Sequence, residues 1–276
     1  MSDATKGVMA HYSEAGFAER VEQALRAAGK DPDHLEPAEL ESFDQFHTGG
    51  RDATLALARM ADIKPGAKVI DLGGGIGGPA RTLASEFGAD VTVVDLSPAF
   101  CAVGARLTAA TGLTDRVRFH EGSALSVPFP DGSFDLVWTQ HSTMNIEDKE
   151  GLYREARRLL KPGGRFAMHE IIAGPNQPIH FPVPWAGDQS ISFLRPVAEI
   201  RSLLADAGFR EQQWVDMTEA AKEFTRQRAA AASATQPGAL GLPVILGRDA
   251  ADKLSNAGRN LSEDRIATVM AVFEAV

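Results

Sequence analysis

The stretch VIDLGGGIGGPARTLASEFGADVTVVDLS, residues 69–97, constrains the fold more than any other part of the chain. Two short apolar runs each end in an aspartate, Asp71 and Asp95, and five glycines follow the first. A strand that stops in a glycine turn and continues as a helix makes a ligand-binding edge of a parallel sheet. The turn needs backbone conformations that glycine alone adopts without strain.

The rest of the chain continues that alternation. KVIDL, DVTVVDL, VRFHEG, FDLVWTQ and RFAMHEII read as buried strands, with GPARTLASEFG, PAFCAVGARLTAATG and KEGLYREARRLLKPGG as the helices between them. A helix RPVAEIRSLLADAGF and the strands EQQWVDM and RIATVMAVFEA follow. The pattern predicts an α/β fold, a doubly wound, mostly parallel seven-stranded sheet of the Rossmann-like kind. Residues 1–60 read as an N-terminal helical cap, and residues 61–276 as the sheet domain with insertions at 174–195 and 218–264. Pro175, Pro178, Pro182 and Pro184 brace the first insertion, whereas the second is alanine-rich and reads as helical, broken by QPGALGLP.

Acidic residues outnumber basic ones 37 to 28, a formal net charge of -9, which offers no electrostatic footprint for a nucleic-acid backbone. Cys101 is the only cysteine, so neither an intramolecular disulfide nor a cysteine-rich zinc site can form. The first residues lack the basic start and apolar stretch of a secretory signal, and no long apolar run occurs, so the expectation is a cytoplasmic protein without a membrane partner. Homo-oligomerisation is left open.

Gly73, Gly75 and Gly78 fit G-x-G-x-x-G, with Asp95 about 20 residues on, a spacing shared with dinucleotide sites. Asp71 argues for another ligand. A carboxylate beside the loop repels a pyrophosphate but favours an ammonium group, while Asp95 can bond a ribose diol. S-adenosylmethionine carries both groups. An NAD-dependent oxidoreductase is thereby disfavoured, and so is a non-catalytic scaffold, which has no use for the full ligand set.

With these residues the sequence resembles the class I S-adenosylmethionine-dependent methyltransferases. VPFPDGSFDLVWTQHSTMNIEDKEGLYREARRLLKPGGRFAMHEI, DQFHTGGRDATLALA and HFPVPWA place the resemblance nearest the branch of sarcosine and dimethylglycine N-methyltransferases, over roughly residues 43–216. It implies a methyltransferase fold in which Asp71, Gly73 and Gly75 meet the methionine part of the cofactor and Asp95 the ribose. Leu96, Ser123 and Ala124 would lie on the adenine side, with Ser123 where many relatives have an aspartate. Gln140 would face the methionine end, and Gln45 and His47 would close over the cofactor from the cap.

A sulfonium is already an activated methyl donor, so the protein need only align the acceptor, exclude water and manage one proton. No metal is required. Glu170 and His141, at the ends of neighbouring strands, are the catalytic candidates. Residues adjacent on a strand point to opposite faces, so His169 and Glu170 cannot share a pocket. Glu170 is preferred, as a carboxylate without polar neighbours whose pKa burial would raise, and His169 reads as a packed histidine. The competing reading pairs Glu170 with Arg51 or Arg195. Trp185, His180, Phe193 and Tyr12 are the candidates for the acceptor pocket.

The expected reaction is methyl transfer to nitrogen, oxygen or carbon of a small molecule. The alternative is carbon methylation of an alkene such as a prenyl diphosphate, with Glu170 taking a proton from the carbocation. That alternative requires a basic cluster or magnesium for the diphosphate; no such cluster is legible in the linear sequence, and Arg51, Arg195 and Arg248 could converge only in three dimensions.

Overall fold

A computed structural model describes residues 3–12, 16–232, 240–247 and 249–276. All seven expected strands form: β1 (Lys68–Leu72), β2 (Asp90–Asp95), β3 (Val117–Glu121), β4 (Phe134–Gln140), β5 (Leu160–Ala173), β6 (Phe209–Asp216) and β7 (Ile266–Ala275). They make one sheet in the order β3-β2-β1-β4-β5-β7-β6, parallel except for β7, which is antiparallel to both its neighbours. Strand order reverses between β1 and β4, and crevices for ligands open at such a switch point, beyond the carboxyl ends of the strands. Asp71 and Gly73 at the end of β1 therefore face Gln140 and His141 at the end of β4.

The central strands are covered on both faces, which is why they read as nearly unbroken apolar runs. On one face Ile70, Val137, Phe166 and Met168 pack with Leu152, Tyr153 and Leu159 of α7 (Lys149–Leu159). On the other, Val69, Leu136, Trp138 and Ala167 pack with Leu57 of α4 (Gly50–Met60) and Leu83 of α5 (Gly78–Phe87). The edge strand β6 is largely exposed, and its Trp214 is covered by the Arg201 guanidinium, 4.4 Å from the ring centroid.

Ahead of α2 (Phe17–Ala27) and the short α3 (Glu41–Asp44), the cap begins with helix α1 (Asp3–Tyr12). It is held by long-range packing: Val8 is buried in a cluster with Met144, Trp185 and Ile191. In the second insertion the described residues are helical, as α9 (Thr218–Ala232), α10 (Pro243–Leu246) and α11 (Ala250–Ser262). The first half of the QPGALGLP break and Arg248 lie outside the described residues. Val244 and Ile245 of α10 reach back to pack against Phe17, Val21 and Phe100, so cap and insertion meet above the sheet edge. Among the described residues no helix is long and apolar enough to cross a membrane.

Candidate active site

A concave cleft opens at the switch point, where small ligands of such sheets bind. Asp71, Gly73 and Gly75 line it from the glycine loop, Gln140 and His141 from the end of β4, and His47 from the cap. The loop is shaped by Gly73 and Gly75, whose φ angles of 80° and 59° lie in the left-handed region. Gly75 donates its amide to Asp95 Oδ2 at 2.9 Å, and the Ser97 amide serves Asp95 Oδ1 at 2.8 Å. Those bonds hold down a carboxyl whose pKa burial nonetheless raises to about 6.

Asp71 is different. It is 1% exposed, and neither carboxylate oxygen has a hydrogen-bond partner. Burial raises its pKa to about 8, and the charges of Asp95 and Glu170 push in the same direction. A buried carboxylate aimed into a cavity without a donor is costly as it stands and fits a cationic ligand group. The residues present thus suit the ammonium of S-adenosylmethionine at Asp71. At Gly73 the missing side chain makes room for Ser142, since a Cβ there would fall 2.5 Å from that of Ser142.

Behind the cavity lies a hydrogen-bonded polar layer. Gln140 Nε2 donates to Nδ1 of His47 at 3.2 Å and of His169 at 3.3 Å, and its Oε1 accepts from Thr54 Oγ1 and Trp138 Nε1, each at 3.2 Å. His47 Nε2 lies 3.2 Å from Gln45 Oε1, and its Nδ1 lies 3.2 Å from Thr48 O as well as from Gln140 Nε2. Gln45 is 2% exposed and does not line the cavity; it bonds His47, Asp44 and Thr54 behind it. The rings of His141 and His169 are 4.7 Å apart, and those of His47 and His141 6.0 Å. Burial keeps all three histidines neutral, with His47 lowered to about 4 and the other two well below their usual value. His141 has a φ of 50°, a conformation unfavourable for a side chain with a Cβ. Its amide bonds His169 O at 2.8 Å and its Nε2 meets Thr48 Oγ1 at 3.3 Å, which fixes the ring at the cavity wall.

His169 and Glu170 do point to opposite faces of β5, and the cavity receives neither directly. His169 belongs to the polar layer. Glu170 is fully buried beneath the 3-10 turn Thr143–Asn145, where its Oε2 accepts the Thr143 amide at 3.2 Å and its Oε1 has no partner. The expectation of an apolar setting is thereby corrected, and so is that of an arginine partner. Arg51 pairs with Glu41 and Glu86, Arg195 with Glu199, and the cation that acts on Glu170 is Lys149. Burial raises Glu170 to about 7 and lowers Lys149 to about 8. Lys149 donates to the carbonyls of Thr143 and Ile146, so it and Glu170 brace the same turn.

Of the four acceptor-pocket candidates, Tyr12 alone lines a cavity, and its hydroxyl donates to Asn145 Oδ1 at 3.0 Å. Trp185 is 1% exposed, a core side chain whose Nε1 bonds Ser192 Oγ at 3.0 Å. His180 pairs with Glu263 at 2.8 Å and anchors the proline loop to α11. Phe193 ties its amide to Met144 O at 2.8 Å and lines neither cavity. Of the candidates for the adenine side, Leu96 and Ser123 are half-buried and line neither cavity, whereas Ala124 is packed into the core. The Ser123 hydroxyl accepts the Leu125 amide at 3.2 Å, leaving its own proton for a ligand. Sequence reasoning missed Asp44, Phe46 and Phe100, which complete the wall. The first two sit in the same DQFH stretch as Gln45 and His47, so the signal was present.

Residues 70–168 match the family model described as a methyltransferase domain. A sterol 24-C-methyltransferase of Gibberella zeae is 41% identical over 114 residues, 41% of this chain and 30% of that protein. Phosphoethanolamine N-methyltransferase 3 of Arabidopsis thaliana is 33% identical over 172 residues, 62% of this chain and 34% of its own length. The chain thus spans about a third of these two curated relatives. Among solved structures, geranyl diphosphate C-methyltransferase from Streptomyces coelicolor superposes with a TM-score of 0.70 at 20% identity, covering 100% of this chain and 98% of that one. Residues 70–168 thus match a methyltransferase domain, and the fold of the chain is the one seen in the solved methyltransferase.

Proposed function

We propose that the protein transfers a methyl group from S-adenosylmethionine to a small-molecule acceptor. The observation that carries this reading is Asp71, a buried carboxylate with two unpartnered oxygens beside a glycine loop, a ready counterpart for the cofactor's ammonium. When bound, the cofactor supplies an electrophilic methyl, and the chain's residues bind, align and exclude water. Asp95 receives the ribose. His141, neutral and fixed at the cavity wall, is the group placed to take the acceptor's proton. Glu170 acts from beneath the turn that follows His141, lending negative potential and holding that turn in place.

Carbon methylation of an alkene is the second reading, favoured by the whole-length likeness to a geranyl diphosphate methyltransferase and by the buried charge of Glu170. Among the described residues no histidine, cysteine or acid cluster forms a metal site to assist a diphosphate.

Titration calorimetry with S-adenosylmethionine and with NAD tests the cofactor. Binding of the first and not the second is expected, and the reverse result overturns the proposal. Tritiated-methyl transfer to amines, phenols and prenyl diphosphates then identifies the acceptor atom.

A further inference from the structure

Residues 47–50, HTGG, turn the chain from the cap into α4. Gly49 has a φ of 79°, and a Cβ there would fall 2.7 Å from that of Ala53, so the turn admits glycine alone. The neighbouring Thr48 is half-buried, and its carbonyl lies 3.2 Å from His47 Nδ1. From this fixed turn Thr48 Oγ1 stands 3.3 Å from Nε2 of His141, 93 residues further along the chain. Among the described residues the His141 ring has no other hydrogen-bond partner. Its Nδ1 is therefore unengaged, in a side chain that lines the cavity. The rings of His47 and His169 pack beside it, but their nitrogens bond other groups.

A neutral imidazole carries one N–H and one lone pair, and it takes a proton only at the nitrogen with the lone pair. A hydroxyl both donates and accepts, so two arrangements fit the contact with Nε2. If Thr48 donates, the ring proton sits on Nδ1 and cannot receive another there. If Thr48 accepts, the ring proton sits on Nε2 and the Nδ1 lone pair is free. We propose that Thr48 is a positioning residue that accepts from Nε2–H and holds His141 in the tautomer able to act as a base. The assignment rests on the reading of His141 as the group that takes the acceptor's proton. Two considerations carry it. An Nε2–H has only Thr48 Oγ1 to receive it among the described residues, whereas the half-buried hydroxyl can give its own hydrogen bond to water. In the transfer, an electron pair of the acceptor bonds the methyl carbon, the S–C pair returns to sulfur, and the acceptor's proton passes to Nδ1. The imidazolium then bears a proton on both nitrogens, and an accepting Thr48 keeps its contact throughout, as a charge-assisted hydrogen bond that needs no reorganisation.

The tautomer is read by long-range proton–nitrogen NMR of the full chain saturated with S-adenosylhomocysteine, with His141→Asn assigning the ring signals. The parent should show a protonated Nε2 and a bare Nδ1. Thr48→Val keeps the shape and removes the hydroxyl, and it should raise the ratio of Nδ1–H to Nε2–H about three- to tenfold. Thr48→Ser should restore the parental shifts, and neither variant should change the affinity for S-adenosylhomocysteine. With an acceptor in hand, Thr48→Val should lower kcat about tenfold at an unchanged KM for S-adenosylmethionine, and Thr48→Ser should recover it. A parent ring protonated on Nδ1, or ring shifts that Thr48→Val leaves unaltered, overturns the assignment. A kcat that falls in His141→Asn but not in Thr48→Val overturns it too, and leaves His141 as the base. A kcat that survives His141→Asn overturns the reading of His141 itself, and the assignment falls with it.

Discussion

Asp71 and Asp95 end neighbouring parallel strands yet stand in opposite states. Asp95 accepts two backbone amides, at 2.9 and 2.8 Å, whereas Asp71 accepts none. Asp71→Asn should therefore separate stability from binding. An unpaired buried carboxylate costs about 1–3 kcal/mol, so the variant should melt higher than the parent when no ligand is present. Its affinity for S-adenosylmethionine should fall about ten- to hundredfold with loss of the charged partner. Thermal melts with and without the cofactor check both halves.

The same carboxylate fixes a pH dependence. The folded pKa of Asp71, about 8, lies above its ordinary value, so its protonated form stabilises the fold. That contribution is full below pH 4 or so and is lost as pH rises through about 8. Asp95 and Glu170, raised to about 6 and about 7, act in the same direction. The three buried histidines act oppositely, because their lowered values withdraw stability as pH falls below about 6.5. The melting-temperature advantage of Asp71→Asn over the parent should widen from about pH 5 to about pH 9. Cofactor binding at neutral pH should release a proton from Asp71, which calorimetry in buffers of different ionisation enthalpy detects.

Two glycines of the loop should respond unequally to alanine. Both have positive φ, which costs an L-residue about 1–2 kcal/mol. A Cβ at Gly75 meets only Phe100, at 3.8 Å, but one at Gly73 lands 2.5 Å from Ser142 Cβ. Ser142 cannot easily yield, because its hydroxyl bonds Leu72 O at 2.8 Å. Gly73→Ala should thus melt well below Gly75→Ala, as differential scanning calorimetry of the two variants without ligand would show.

The strands were legible because a parallel sheet buried on both faces leaves unbroken apolar runs, as in VIDL and FDLVW. Asp71 was legible for a chemical reason, a charge placed where a phosphate ligand forbids one. Strand alternation also showed that His169 and Glu170 diverge, but not that the turn Thr143–Asn145 would cover Glu170. What stayed hidden depends on distant partners. Trp185 looks like a pocket aromatic in its proline loop, yet α1 and the Ile191 segment bury it. Lys149 reads as an exposed first-turn lysine until Glu170 and the carbonyls of residues 143 and 146 surround it.

If the charge on Glu170 supports turnover, its ionisation should appear in the rate. Neutral His141 does not titrate near pH 7, since burial places it well below 6.5. Glu170 does, at about 7. The kcat profile should therefore lose activity on the acid side of about pH 7, and Glu170→Gln should flatten that limb as well as slow turnover. His141→Asn should lower kcat by about a hundredfold or more while keeping the limb. Steady-state kinetics across pH, once an acceptor is found, distinguishes the two roles.

Asp44 and Arg81 join the cap to the helix after the glycine loop through a buried ion pair of 2.9 Å, with side-chain exposures of 3% and 1%. Arg81 also bonds Ile76 O at 2.8 Å and Thr108 Oγ1 at 3.2 Å, so one guanidinium ties the cap, the loop and α6 (Pro98–Ala110) together. Breaking such a pair from one side leaves an uncompensated buried charge, at about 3–5 kcal/mol. Burial already lifts the Asp44 pKa despite the arginine. Arg81→Met should consequently protonate Asp44 at neutral pH and loosen DQFH, and with it His47. Asp44→Asn combined with Arg81→Met should recover much of the lost stability, because neither charge then remains buried. A double-mutant cycle by urea unfolding measures the coupling, and additive effects in that cycle would show that the pair does not latch the cap.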